Sequence, residues 1–188
     1  VRQLFPRRPI VVVTDGLRSQ ESAQQDLATW LALGAEGRRQ KAEGRRQNHA
    51  SPVPQPSTLN PQPLFYPAWE VLPHEARLPH ADVISERLET LVALTTHAAR
   101  DTRPPPIIVA SVSALLQRTF PVEPLRAGTR TLTRGDRVDP LDLAEWLEAR
   151  GYEPEAQVTQ KGELALRGGI MDVYPLTSPW PVRLEFFG

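Results

Sequence analysis

Hydrophobic positions enter this chain in two rhythms. Ile10-Val11-Val12-Val13 and Ile107-Ile108-Val109-Ala110 are short unbroken β-branched runs, the signature of strands buried on both faces of a parallel sheet. Between them the apolar positions recur at helical spacing. After the turn Thr14-Asp15-Gly16, Ser19 is the expected N-cap of a helix carrying Ala23, Leu27, Trp30 and Leu31 on one face. Order resumes at Leu64-Phe65-Tyr66-Pro67, and Asp82 then caps a helix with Ile84, Leu88, Leu91 and Val92 along its stripe. Ser111 opens a short helical run through Leu115 and Leu116. Strands joined through helices predict an α/β domain with right-handed crossovers, over residues 1–123.

From about Pro124 the pattern changes. Thr129 to Thr133 reads as a strand followed by a Gly135-Asp136 turn. Asp139 is an N-cap, Pro140 suits the first helical position, Leu143, Trp146 and Leu147 form the apolar stripe, and Gly151 ends the helix. Strands are expected at 162–167, 170–174 and 181–187, joined by Gly168-Gly169 and by Thr177-Ser178-Pro179. Connections this short force antiparallel pairing, so residues 124–188 are expected to form a separate small α+β module.

Residues 34–63 fit neither rhythm. Ala-Glu-Gly-Arg-Arg-Gln occurs at 35–40 and again at 42–47, followed by a tract with Pro52, Pro54, Pro56, Pro61 and Pro63. Such a stretch has little to bury and reads as a disordered insertion, a solvated linker. Contact with DNA phosphates through Arg38, Arg39, Lys41, Arg45 and Arg46 is the alternative.

Composition narrows the function classes. The 188 residues hold 22 Lys plus Arg against 22 Asp plus Glu, so no net field draws in DNA or an anionic membrane. No cysteine is present, which removes disulfides and thiolate zinc sites and fits a cytoplasmic location. Apolar runs stop far short of the roughly 20 residues of a membrane helix. The chain opens on Val1 and stops at Gly188 just after a strand-like run, as a fragment of a larger protein would. No Gly-Lys-Ser/Thr phosphate loop occurs, and Thr14-Asp15-Gly16-Leu17-Arg18-Ser19 puts a carboxylate where a phosphate would sit. His49, His74, His80 and His97 lack metal-ligand spacing. No Gly-x-Ser-x-Gly elbow is present either, so no catalytic, cofactor or metal site is expected.

The alternation of side chains along the last strands is more informative. In Val182-Arg183-Leu184-Glu185-Phe186-Phe187 the core side takes Val182, Leu184 and Phe186, and Arg183, Glu185 and Phe187 face out. Likewise Leu164 and Leu166 face in, and Glu163, Ala165 and Arg167 face out. Arg167, Arg183 and Phe187 then converge on one surface, with the arginine-plus-aromatic composition of binding hot spots. Packing of Phe187 against another part of a larger protein is the competing reading.

Several segments resemble transcription-repair coupling factors. They are Tyr66-Pro67-Ala68-Trp69-Glu70-Val71-Leu72-Pro73, Asp82-Val83-Ile84-Ser85-Glu86-Arg87-Leu88-Glu89-Thr90-Leu91 and Ile108 through Arg118, then Lys161 through Pro175 and Arg183-Leu184-Glu185-Phe186-Phe187-Gly188. The last two blocks are shared with the damage-verifying subunit of the excinuclease, an ATP-dependent helicase and the alternative reading. The Trp-Glu and Ser-Glu-Arg-Leu blocks favour the coupling factor. The resemblance implies a partial helicase-like α/β domain without working nucleotide chemistry. It implies next an α+β module that docks the damage-recognition subunit of the excinuclease, with contacts mapping onto Arg167, Arg183 and Phe187. It also implies that RNA polymerase, double-stranded DNA, ATP and Mg engage other parts of the full-length protein, an ATP-driven translocase. This stretch itself is expected to be an adaptor with no enzymatic activity. The 34–63 tract departs from the family, which has a short connection there.

Overall fold

The structure, a computed structural model, describes residues 7–43, 62–72, 74–100 and 105–187. Two compact units emerge, one within residues 1–69 and 96–118 and the other within residues 70–95 and 119–188. The fold is α/β, with a parallel three-stranded sheet in the first unit and a four-stranded, mainly antiparallel sheet in the second.

In chain order the elements begin with β1 (Ile10–Thr14), α1 (Leu17–Glu43), β2 (Leu64–Tyr66), α2 (Ala81–Arg100), β3 (Ile107–Ser111) and α3 (Val112–Leu116). The sheet order is β1-β3-β2, and both neighbours run parallel to β3, with Val12 opposite Val109 and Tyr66 opposite Ala110. Every residue of β3 is buried, as its unbroken apolar run requires. The run of β1 carries the same composition yet leaves Val11 49 % and Val13 52 % exposed, because β1 is an edge strand. Gln20 of α1 is fully buried, and its Nε2 donates to the carbonyls of Tyr66 and Val109, each at 2.9 Å, tying α1 to the end of β2 and the middle of β3. The Trp69 block is held to the end of α3. The Trp69 amide donates to Gln117 Oε1 at 2.6 Å, and Gln117 Nε2 returns a bond to the Trp69 carbonyl at 3.2 Å.

Local starts differ from the sequence expectation by a residue or two. Helix α1 begins at Leu17, so Ser19 lies inside its first turn and donates to the Asp15 carboxylate, which holds that carboxyl below its usual range. Helix α2 begins at Ala81, and Asp82 sits in its first turn while the His80 carbonyl accepts from Ile84. Helix α1 also continues through Glu43, into the tract read as non-helical from residue 34. Ala, Glu, Arg, Gln and Lys are good helix formers, and glycines at about 1 kcal/mol each do not stop such a run. Residues 44–61, including His49, Arg45 and Arg46, lie outside the described residues, as do the side chains of Arg38, Arg39 and Lys41.

The second unit adds α4 (Val122–Ala127), α5 (Pro140–Glu148), β4 (Glu153–Pro154), β5 (Glu163–Arg167), β6 (Ile170–Val173) and β7 (Val182–Glu185). Helix α5 is as the sequence dictates. The Asp139 carboxylate accepts from the Leu141 amide at 2.8 Å, Pro140 occupies the first turn, and Gly151 takes a positive φ of 85°. Thr129 to Thr133 is not a strand. It has no ladder partner among the described residues, and Thr133 instead donates its amide and hydroxyl to Asp136 at 2.8 and 2.7 Å. Helix α4 precedes it, with Pro124 in the first turn, where a missing N–H costs nothing.

The sheet order is β4-β5-β6-β7. Strands β5, β6 and β7 pair antiparallel through tight connections, and the two-residue β4 pairs parallel with β5. Leu143, Ala144 and Leu147 of α5 pack on Leu164, Met171 and Val173, with Leu166, Leu184 and Phe186 around them. On the same unit, Ser85 of α2 donates to the Leu176 carbonyl and accepts from Lys161 Nζ at 2.7 Å. No helix among the described residues is long and apolar enough to cross a membrane.

Candidate partner-binding surface

Pairing register, more than any single residue, builds the surface. Gly168-Gly169 closes a two-residue hairpin in which Arg167 lies opposite Ile170. Gly168 adopts φ +58°, a region side chains resist. Gly169 lies so close to β7 that an added Cβ would be 3.0 Å from the Phe186 carbonyl, and the Phe186 amide donates to the Gly169 carbonyl at 2.8 Å. The hairpin turn therefore grips the end of β7 where Phe187 emerges.

Two rows follow on the face away from the core. The first runs Arg167–Ile170–Glu185 and the second Ala165–Asp172–Arg183. The intervening rows, Leu164–Val173–Val182 and Leu166–Met171–Leu184, face α5. Val182, expected inside, remains 42 % exposed because it occupies the open end of the edge strand. Ala165, expected outside, is only 4 % exposed. Its methyl is too short to rise above Glu163, Arg167 and Asp172, its neighbours on that face.

Arg183 spans the β6–β7 pair as a fork. Its Nε and Nη2 donate to the two carboxylate oxygens of Asp172 at 2.7 and 2.8 Å. This hydrogen bonding holds the Asp172 carboxyl below its usual range, with weaker attraction from the charges of Arg183 and Arg167, and raises Arg183 above the ordinary guanidinium value. The arginine side chain stays 61 % exposed against 28 % for the aspartate. Arg167 is anchored separately, donating from Nη2 to the Ala156 carbonyl. Phe187 is 87 % exposed, whereas Phe186 turns inward against the core.

Arg167 and Arg183 thus lie on one face of the sheet, and Phe187 follows just past the end of β7. Strand spacing puts the two arginine Cα atoms about 12 Å apart, within the footprint of a single partner. Alternation along the chain did not single out Asp172. A signal for it exists: once Gly168-Gly169 is taken as a two-residue hairpin, Ala165 must face Asp172, and β7 must lie beyond it.

His80 and His97 make local contacts. His80 Nδ1 accepts from the Asp82 amide at 3.3 Å, and His97 Nε2 lies 3.2 Å from the Arg7 carbonyl. Among the described residues no cluster of three His, Asp or Glu is placed to hold a metal ion.

Residues 131–188 match the family described as the UvrB interaction domain, a segment that contains α5, β4 to β7 and both surface rows. The transcription-repair-coupling factor of Haemophilus influenzae is 36 % identical over 123 residues, which is 65 % of this chain and 10 % of that protein. Its counterpart in Escherichia coli is 35 % identical over 119 residues, and that in Myxococcus xanthus 37 % over 134. The chain spans about a tenth of the length of these relatives and is homologous to them over the matched span.

Proposed function

From this homology to transcription-repair-coupling factors, we propose that the chain is an adaptor of nucleotide-excision repair. It docks the damage-recognition subunit of the excinuclease through the outer face of the β5–β6–β7 sheet. The observation that carries the reading is the composition of that face. Two arginines stand on the outer face of the sheet and a phenylalanine exposed to 87 % follows at the end of its last strand, all inside the segment that matches the UvrB interaction domain. A large aromatic on a surface gains most by entering a partner's pocket, and charge-assisted bonds from arginine orient it there. No step of this role needs a cofactor or a catalytic group in the chain. ATP, Mg, DNA and RNA polymerase belong, on this reading, to other parts of a coupling factor.

The test is calorimetric titration of the chain with the damage-recognition subunit. Arg183→Ala should weaken binding about tenfold or more. The triple variant R167A/R183A/F187A should abolish binding while retaining the wild-type circular dichroism spectrum. A folded triple variant that binds like wild type would overturn the proposal.

A further inference from the structure

We propose that Asp172 is a positioning residue of this docking surface, holding Arg183 in the orientation that meets the partner; the inference rests on the docking reading above. The guanidinium has five N–H donors, and the fork at 2.7 and 2.8 Å uses one on Nε and one on Nη2. The three that remain lie on the edge of the guanidinium turned away from Asp172. An arginine on an edge strand would otherwise lose its rotamer freedom on binding, and the fork removes that loss beforehand. Arg167 is held by a single bond, from Nη2 to the Ala156 carbonyl, so each cation of the face has a partner within the chain before binding.

The aspartate also shapes the field. The outward face carries Arg167 and Arg183 against Asp172, Glu185 and Glu163, two cations and three anions, so it has no excess of positive charge to draw an acidic partner from a distance. Recognition must then work at contact range, by matching positions. The chemistry that fits is an acceptor-rich patch, carboxylate or main-chain carbonyl, opposite the free donors of Arg183. Beside it an apolar pocket would cover Phe187 and Ile170, the exposed hydrophobics of this face.

A double-mutant cycle on the full chain against the damage-recognition subunit of the excinuclease tests this at low and high salt. Asp172→Ala should weaken binding about fivefold to tenfold at both, with unchanged melting, and D172A/R183A should bind no worse than R183A alone. A purely electrostatic role predicts the reverse sign, since removing an anion beside two arginines would tighten binding at low salt. Unchanged or tighter binding of D172A, or losses that simply add in the double variant, would overturn the role of Asp172 while leaving docking intact. Absence of wild-type binding would instead overturn the docking reading itself.

Discussion

Lys161 donates from Nζ to the Ser85 hydroxyl at 2.7 Å, joining the turn that leads into β5 to helix α2 across 76 residues of sequence. Ser85 is buried and donates its own hydroxyl hydrogen to the Leu176 carbonyl, so the lysine, serine and carbonyl form one chain of bonds.

Breaking that chain should be costly. Ser85→Ala leaves the Leu176 carbonyl and the Lys161 ammonium without their shared partner, for about 1–3 kcal/mol in denaturant unfolding. Lys161→Met should add a pH dependence. Burial, with repulsion from Asp82, raises the Glu86 carboxyl above its usual value; burial also raises Glu89, and in both the charge of Lys161 opposes the shift. A carboxyl with a raised folded pKa contributes stability at low pH that is lost as pH rises through that value. Without the lysine the rise is larger, so K161M should be more destabilised relative to wild type at pH 7 than at pH 4. An equal deficit at both values would refute the coupling.

Leu147 lies at the centre of the contact between α5 and the β5–β6 hairpin, 7 % exposed. Leu147→Ala should destabilise by about 2–5 kcal/mol through the cavity it leaves. Near wild-type melting of this variant would contradict the core assignment.

Gly169→Ala tests the grip of the hairpin on β7. The new Cβ meets the backbone oxygen of Phe186 at 3.0 Å, and a main-chain atom cannot swing aside as a side chain would. Amide exchange should quicken at Phe186 and along β7 while α5 stays protected. Affinity for the damage-recognition subunit should fall with it, because Phe187 follows the displaced residue. Unaltered exchange along β7 would show that the strand end is held by other means.

Helix α5 was fully legible because its signals are local: Asp139, Pro140, the stripe Leu143 and Leu147, and Gly151 act within one short stretch. The strands Ile10–Thr14 and Ile107–Ser111 were legible as strands, but nothing in their similar runs says that one is central and the other an edge. Thr129 to Thr133 shows the converse. Its composition suits a strand, yet a strand exists only where a neighbour accepts its hydrogen bonds. Helix α4 was obscured by Pro124, which reads as a break and in fact sits where proline is tolerated.

For the outer face of the β5–β6–β7 sheet, alternation alone put Arg167 and Arg183 on the outer side, because the two-residue period of a strand is set by backbone geometry at each residue. Alternation could not show which residue stands beside which. The bond from Arg183 to Asp172 depends on β7 lying next to β6 in one particular register, and the burial of Ala165 depends on what its neighbours cover. The sequence by itself determined which face of its strand each of these side chains takes, but not how far each is exposed, as Ala165 and Val182 show. Only the tertiary structure decided their partners, since pairing is settled by the fit of residues far apart in the chain.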